Sequence, residues 1–81
     1  MNKKQILEEA LKVRKEEVLQ YEINIENFKR AIKKIETNYE SNVNLAPFKS
    51  QLIQLVEENE TQQLKAMIIR DVIAEQLGEQ Q

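Results

Sequence analysis

The chain has 81 residues, with 12 Lys/Arg against 14 Asp/Glu for a formal charge of −2, one glycine, one proline, no cysteine and no histidine. A chain this short is one domain and buries too little surface to be stable unless its helices pack well or it associates, and without cysteine it has neither disulfides nor thiolate ligands, which suits a reducing cytosol. One glycine and one proline exclude a strand-rich fold, because sheets need turn residues every several positions.

The first predicted element opens at Asn2, which has Gln5 three residues on and so forms a variant of the capping box. From there apolar residues recur at alternating steps of four and three: Leu7, Leu11, Val18, Tyr21, Ile25, Phe28, Ile32, Ile35 and Tyr39, with Arg14 as the single break. That mean period of about 3.5 marks a coiled-coil seam and predicts a helix over residues 3–38. Between Thr37 and Pro47 the chain turns rich in Asn and Ser, whose side chains compete for backbone hydrogen bonds and favour caps and turns. A reversal over residues 39–46 follows. Ala46 is biased away from helical dihedrals by the proline after it, whereas Pro47 suits a first helical turn. The second helix is therefore expected over residues 47–77, with Asn44 as the best N-cap by chemistry and Gly78 able to end it in the left-handed conformation.

The seam of the second helix is less regular. Phe48, Leu52, Leu55 and Val56 begin it, Asn59, Gln62 and Gln63 interrupt it, and Leu64, Met67, Ile68, Ile69, Val72, Ile73 and Leu77 close it with apolar residues on more than one face. The fold class is thus all-α: one domain, residues 1–81, folded as an antiparallel helical hairpin with a coiled-coil-like seam. Folding about the turn with Tyr39 near Phe48 brings Arg14 level with Asp71. It also gathers Tyr21, Asn24, Asn59, Gln62 and Gln63 into a polar core layer of the kind that fixes register and oligomeric state. The end that carries both termini holds more apolar surface than one partner helix covers. An interface centred on Ile6, Ala10, Val13, Ile68, Val72 and Leu77 is expected there, joining two hairpins into a four-helix bundle.

Without His or Cys the chain has no proton shuttle near neutral pH and no thiol nucleophile. The Glu-x-x-His pairs of helical di-metal sites cannot be written. The carboxylates of Glu8-Glu9, Glu16-Glu17 and Glu57-Glu58 diverge by about 100° on a helix, and a chain whose only glycine is Gly78 has no Gly-rich phosphate loop. No catalysis, cofactor, metal or small-molecule substrate is expected. The cluster Lys29, Arg30, Lys33 and Lys34 stacks at i, i+4 spacing with only Glu26 and Glu36 near enough to neutralise it. Four such charges add salt-dependent affinity for a nucleic-acid backbone. Against that, neither half of the chain is strongly basic, with nine Lys/Arg to eight Asp/Glu over residues 1–40 and three to six over residues 41–81, and no exposed aromatic platform is expected beside the cluster.

No apolar run reaches the roughly 18 residues of a membrane span, and only Ile6 and Leu7 precede Glu8 and Glu9, so no signal-peptide core is expected. The sequence leads to a small cytoplasmic interaction protein, a homodimer that binds another protein as adaptor, inhibitor or regulator. Small accessory proteins of phages and plasmids offer a parallel by fold alone. The alternative is a hairpin that binds nucleic acid or a ribonucleoprotein through the Lys29–Lys34 face.

Overall fold

The computed structural model describes residues 2–79; Met1, Gln80 and Gln81 of the expected 1–81 domain lie outside the described residues. The chain forms two long helices, α1 (Lys3–Asn38) and α2 (Ala46–Glu79), joined through a single 3-10 turn at Val43–Leu45, and the described residues contain no strand. The helices pack against each other as a hairpin with extents of 59 × 16 × 15 Å. Its radius of gyration is 18.1 Å, where a compact chain of this length would have about 12 Å. The molecule is a rod two helices thick.

The start of α1 follows from its first residues. Gln5 N donates to Asn2 Oδ1 at 2.9 Å and Asn2 N donates to Gln5 Oε1 at 3.0 Å, so two N–H groups that a helix start leaves open are satisfied reciprocally. At the other end Tyr39 N still donates to the Ile35 carbonyl at 2.9 Å, and the chain then leaves the helix. Asn42 turns it back: its Oδ1 accepts from Asn44 N at 3.1 Å and its carbonyl from Leu45 N at 3.1 Å, closing the 3-10 turn.

Several expectations about α2 are corrected by this geometry. Asn44 lies inside the 3-10 turn, which Asn42 caps, rather than at the N-cap of α2, and helix begins at Ala46 rather than at residue 47. Ala46 has φ −56° and ψ −44° despite the proline that follows it. The 3-10 turn already delivers the chain in a helical direction, and Pro47 sits in the first turn, where its missing N–H costs nothing. At the far end α2 runs to Glu79 rather than stopping at residue 77, and Gly78 keeps a negative φ. Nothing there requires the chain to reverse.

Burial marks the seam. On α1 the 3-4 series Leu7, Leu11, Arg14, Val18, Tyr21, Ile25, Phe28, Ile32 and Ile35 is half-buried or buried throughout, flanked by half-buried Ala10, Glu17, Asn24 and Ala31; Tyr39, the last residue of the series in the sequence, is half-exposed. From the end of the 3-10 turn through α2 an unbroken 3-4 series also appears, but at Leu45, Lys49, Leu52, Val56, Asn59, Gln63, Ala66, Arg70, Ile73 and Leu77. Phe48 is therefore not the first seam residue; Leu45, three residues earlier, holds that place. Three cross-helix contacts fix the register: Lys49 Nζ to Glu36 Oε2 at 3.1 Å, Asn24 Nδ2 to Asn59 Oδ1 at 3.2 Å, and Gln63 Nε2 to the Val18 carbonyl at 3.3 Å. Counted in heptads from these contacts, Tyr39 lies level with Leu45 at the turn and Leu7 with Leu77 at the terminus-bearing end.

The core is thin. Only Ile35, Leu52, Val56, Ala66 and Ile73 are buried among the described residues, and no side chain is fully shielded. Exposed area totals 6200 Å², against about 5,100 Å² for a compact monomer of this mass. A two-helix rod has one seam, so every large apolar residue off that seam faces solvent.

Candidate interaction surfaces

Mid-rod, the polar layer assembles as a directed relay. Gln20 Nε2 donates to Asn24 Oδ1 at 2.9 Å, Asn24 Nδ2 to Asn59 Oδ1 at 3.2 Å, and Asn59 Nδ2 to the Leu55 carbonyl at 2.7 Å, while Gln63 reaches across to Val18. Asn24, Asn59, Gln63 and Tyr21 are half-buried, whereas Gln62 is exposed and stands outside the layer. No buried side-chain polar atom among the described residues lacks a partner, so the layer contributes register without leaving a donor stranded in the seam. It holds the chain in place rather than offering a binding site.

Arg14 does not meet Asp71. It pairs on its own helix, Nη1 to Glu17 Oε1 at 3.0 Å, and Asp71 is taken by its neighbour Arg70, Nε to Oδ1 at 3.0 Å. By the heptad register the residue level with Arg14 is Arg70 itself, another cation. Each guanidinium turns to a carboxylate on its own helix, and the seam there contributes less packing than an apolar layer would.

Of the six residues expected to form an interface, Ile6, Val13, Ile68 and Val72 are exposed, from 43% for Val13 to 61% for Ile68, and Ala10 is half-buried. Leu77 is corrected: it belongs to the seam, opposite Leu7. Helical spacing divides the remainder between two surfaces. Ile6, Ala10, Val13 and Glu17 follow one another at steps of four, three and four along one flank of α1. Gln62, Lys65, Ile69 and Val72 follow at steps of three, four and three along one flank of α2. A shallow cleft lined by Glu17, Gln62, Lys65 and Ile69 shows that the two flanks lie on the same side of the hairpin. Ile68 instead continues Leu64 at i+4 on the back of α2, away from α1, and both are exposed.

The same flank carries on toward the turn. Ala31 lies two heptads beyond Glu17 and Phe48 two heptads before Gln62, and these two line one cleft together with Ile35, Tyr39, Leu45, Asn42 and Lys34. Tyr39 and Phe48 are each close to half-exposed. The sequence reading missed this aromatic cleft because it counted both rings as seam. Starting the α2 heptad count at Leu45 and tolerating polar residues in it would have released Phe48 to the surface.

In the basic cluster, Arg30 is occupied by Glu26, Nη2 to Oε1 at 2.7 Å, with both side chains largely exposed. Lys29, Lys33 and Lys34 make no ion pair among the described residues, and Glu36 is engaged by Lys49 rather than by the cluster. Lys34 also edges the aromatic cleft, so the expectation of no aromatic surface beside the cluster is corrected.

No protein-family model matches the chain, and comparison with curated proteins and with solved structures returns no match. No helix among the described residues is long and apolar enough to cross a membrane.

Proposed function

We propose that this hairpin is a cytoplasmic protein-protein interaction module that associates with itself and binds a second protein as adaptor, inhibitor or regulator, with no catalytic step of its own. One observation carries the reading. Among the described residues twelve large apolar side chains are exposed, and seven of them (Ile6, Val13, Leu19, Leu64, Ile68, Ile69 and Val72) lie in the terminus-bearing half of a rod whose core is five residues. Apolar surface of that extent marks interaction sites on soluble proteins, and it falls on more faces than one partner covers. The flank of Ile6, Val13, Ile69 and Val72 suits a second hairpin, giving a four-helix bundle. The back of α2 at Leu64 and Ile68 then remains for a different protein.

Sedimentation of the purified chain at tens of micromolar tests the first part: twice the 9.6 kDa chain mass is expected, and a compact, stable monomer contradicts it. Capture from the native host with the wild-type chain and with Leu64→Glu/Ile68→Glu tests the second. A protein that the wild type retains and the double variant releases is expected, and a set of captured proteins that does not change between the two contradicts it.

A second reading rests on the free cations Lys29, Lys33 and Lys34 beside half-exposed Tyr39 and Phe48, an arrangement suited to phosphate and base. A salt titration of binding to mixed DNA and RNA separates the readings, since phosphate contacts give an affinity that falls steeply with salt.

A further inference from the structure

We infer that the aromatic cleft at the turn end is a docking site for an acidic amphipathic helix of a different protein, which seats an apolar side chain in the cleft and sets carboxylates against Lys34 and Lys33. The site is separate from the flank and from the back of α2, and its failure leaves the reading of those two surfaces standing.

The cleft is apolar in its lining and cationic at its edge. Ala31, Ile35, Tyr39, Leu45 and Phe48 supply the apolar surface, and Lys34 stands on the α1 side. A groove that shares Ala31 and Lys34 continues from it along α1, past Lys33 and Arg30. Arg30 is held by Glu26, but Lys33 and Lys34 make no ion pair among the described residues. No carboxylate lines either depression, and α2 carries none before Glu57. On the other side of the turn, a cleft that shares Ile35, Tyr39, Asn42 and Leu45 is lined instead by Glu36, Glu40 and Lys49, with Lys49 bound to Glu36. The two sides of the turn therefore differ in sign, and the unpaired cations stand beside the half-exposed aromatic rings.

Apolar lining with a cationic edge calls for an apolar side chain flanked by carboxylates, the arrangement that gives an interface a dry centre and a charged rim. A small acidic molecule is poorly held here. Of the residues lining the cleft Ile35 alone is buried, so the site cannot enclose the roughly 70–90% of a small ligand's surface that a pocket covers. A helix gains the missing contact along the adjoining groove, which follows α1 from Arg30 to Asn38, about 12 Å, the reach of anchors at i, i+3, i+4 and i+7. The small side chain of Ala31 at the junction of cleft and groove lets a third helix come close to α1. A nucleic-acid strand fits less well, because it needs cations in line with its phosphates. Lys29, five residues before Lys34, stands about 140° round the helix from it, and the chain as a whole has a formal charge of −2.

The probe is a fluorescent model helix of about 18 residues with Leu or Phe at i, i+3, i+4 and i+7, Glu beside that stripe and Ala elsewhere, together with two forms in which each Glu is Gln or Lys. Binding to the full chain is read by anisotropy at low salt. The Glu helix should bind about three- to tenfold tighter than the Gln helix, by a margin that closes as salt rises, and the Lys helix should bind weakest. Phe48→Ala should weaken the Glu helix by about tenfold or more. Lys33→Glu with Lys34→Glu, both on the surface, should reverse the order so that the Lys helix binds best, while Leu64→Glu with Ile68→Glu should change nothing. Equal binding of the three helices, or none, overturns the proposal, as does a loss in the Leu64/Ile68 variant, which would move the helix to the back of α2. A DNA or RNA strand that binds more tightly than the Glu helix and is released by the Lys33/Lys34 variant assigns the cations to phosphate and overturns it too. A lower sedimentation mass of the chain alone on Phe48→Ala puts a second copy in the cleft and overturns the choice of a different protein.

Discussion

The two halves of this rod are built in opposite senses. Toward the turn the seam is apolar: Ile25, Phe28, Ile32 and Ile35 face α2 positions Leu52 and Val56, with the one cation, Lys49, drawn out to Glu36. Toward the termini the seam admits Arg14, Tyr21, Gln63, Arg70 and the small Ala66, while Ile6, Val13, Leu64, Ile68, Ile69 and Val72 stand outside it. The turn half buries Ile35, Leu52 and Val56 while still exposing Tyr39, Val43, Phe48 and Ile53; the other half buries only Ala66 and Ile73, presents more of its apolar residues to solvent and places polar groups between its helices. Under the proposed self-association, the contrast becomes a hairpin held shut by one end and adhesive at the other, the second end drawing its stability from a partner.

The largest effect expected from breaking this contrast is in the turn half. Leu52, only 4% exposed, is the most buried side chain of the described residues. Leu52→Ala should cost about 2 to 5 kcal/mol, by lost transfer energy plus the cavity left behind, in chemical denaturation. A loss under about 1 kcal/mol would mean that this half does not anchor the fold.

Next in size is the outward surface of the other half. Val13→Glu with Val72→Glu removes nothing from the seam, so in a free-standing monomer it should be nearly silent. If that surface is covered by association, the double variant should sediment as a monomer with lowered helicity, and its melting temperature should fall by roughly 5 °C or more. Unchanged mass and unchanged melting would remove the basis for an adhesive end.

A smaller effect is expected where the halves meet. Asn59→Leu replaces a half-buried amide of the relay with an apolar side chain; stability should hold or rise by about 1 kcal/mol while the alignment of the helices loosens, seen as extra peaks in an amide NMR spectrum. Gln62→Leu, on the exposed flank, should change stability by no more than about 0.5 kcal/mol. Equal losses at the two positions would place the polar layer wrongly.

Much of this architecture is legible in the residues, and the parts that are not fail for identifiable reasons. The α1 seam can be read directly because eight of its nine positions, all but Arg14, are apolar, and the Asn2–Gln5 box is a local motif that needs no tertiary partner. The α2 seam cannot be read by apolarity, since four of its ten positions are Lys49, Asn59, Gln63 and Arg70 while Phe48, Ile53, Leu64, Ile68, Ile69 and Val72 lie off it. A search for apolar periodicity follows those outward residues and draws the wrong stripe. The register read from that stripe inherits the error and pairs Arg14 with Asp71 and Phe48 with Tyr39. The 3-10 turn is a second source: one tight turn at Val43–Leu45 moves the first seam contact of α2 to Leu45. Surface function is least legible, because an exposed flank is defined only once the seam is known.

The central claim, that the terminus-bearing half depends on association while the turn half does not, is tested most directly by residue-resolved hydrogen exchange at two protein concentrations. On dilution from about a millimolar to a few micromolar, amides over residues 3–20 and 63–79 should lose protection while those over residues 25–36 and 50–58 keep theirs. Protection that is uniform along the rod and unchanged by dilution would contradict it.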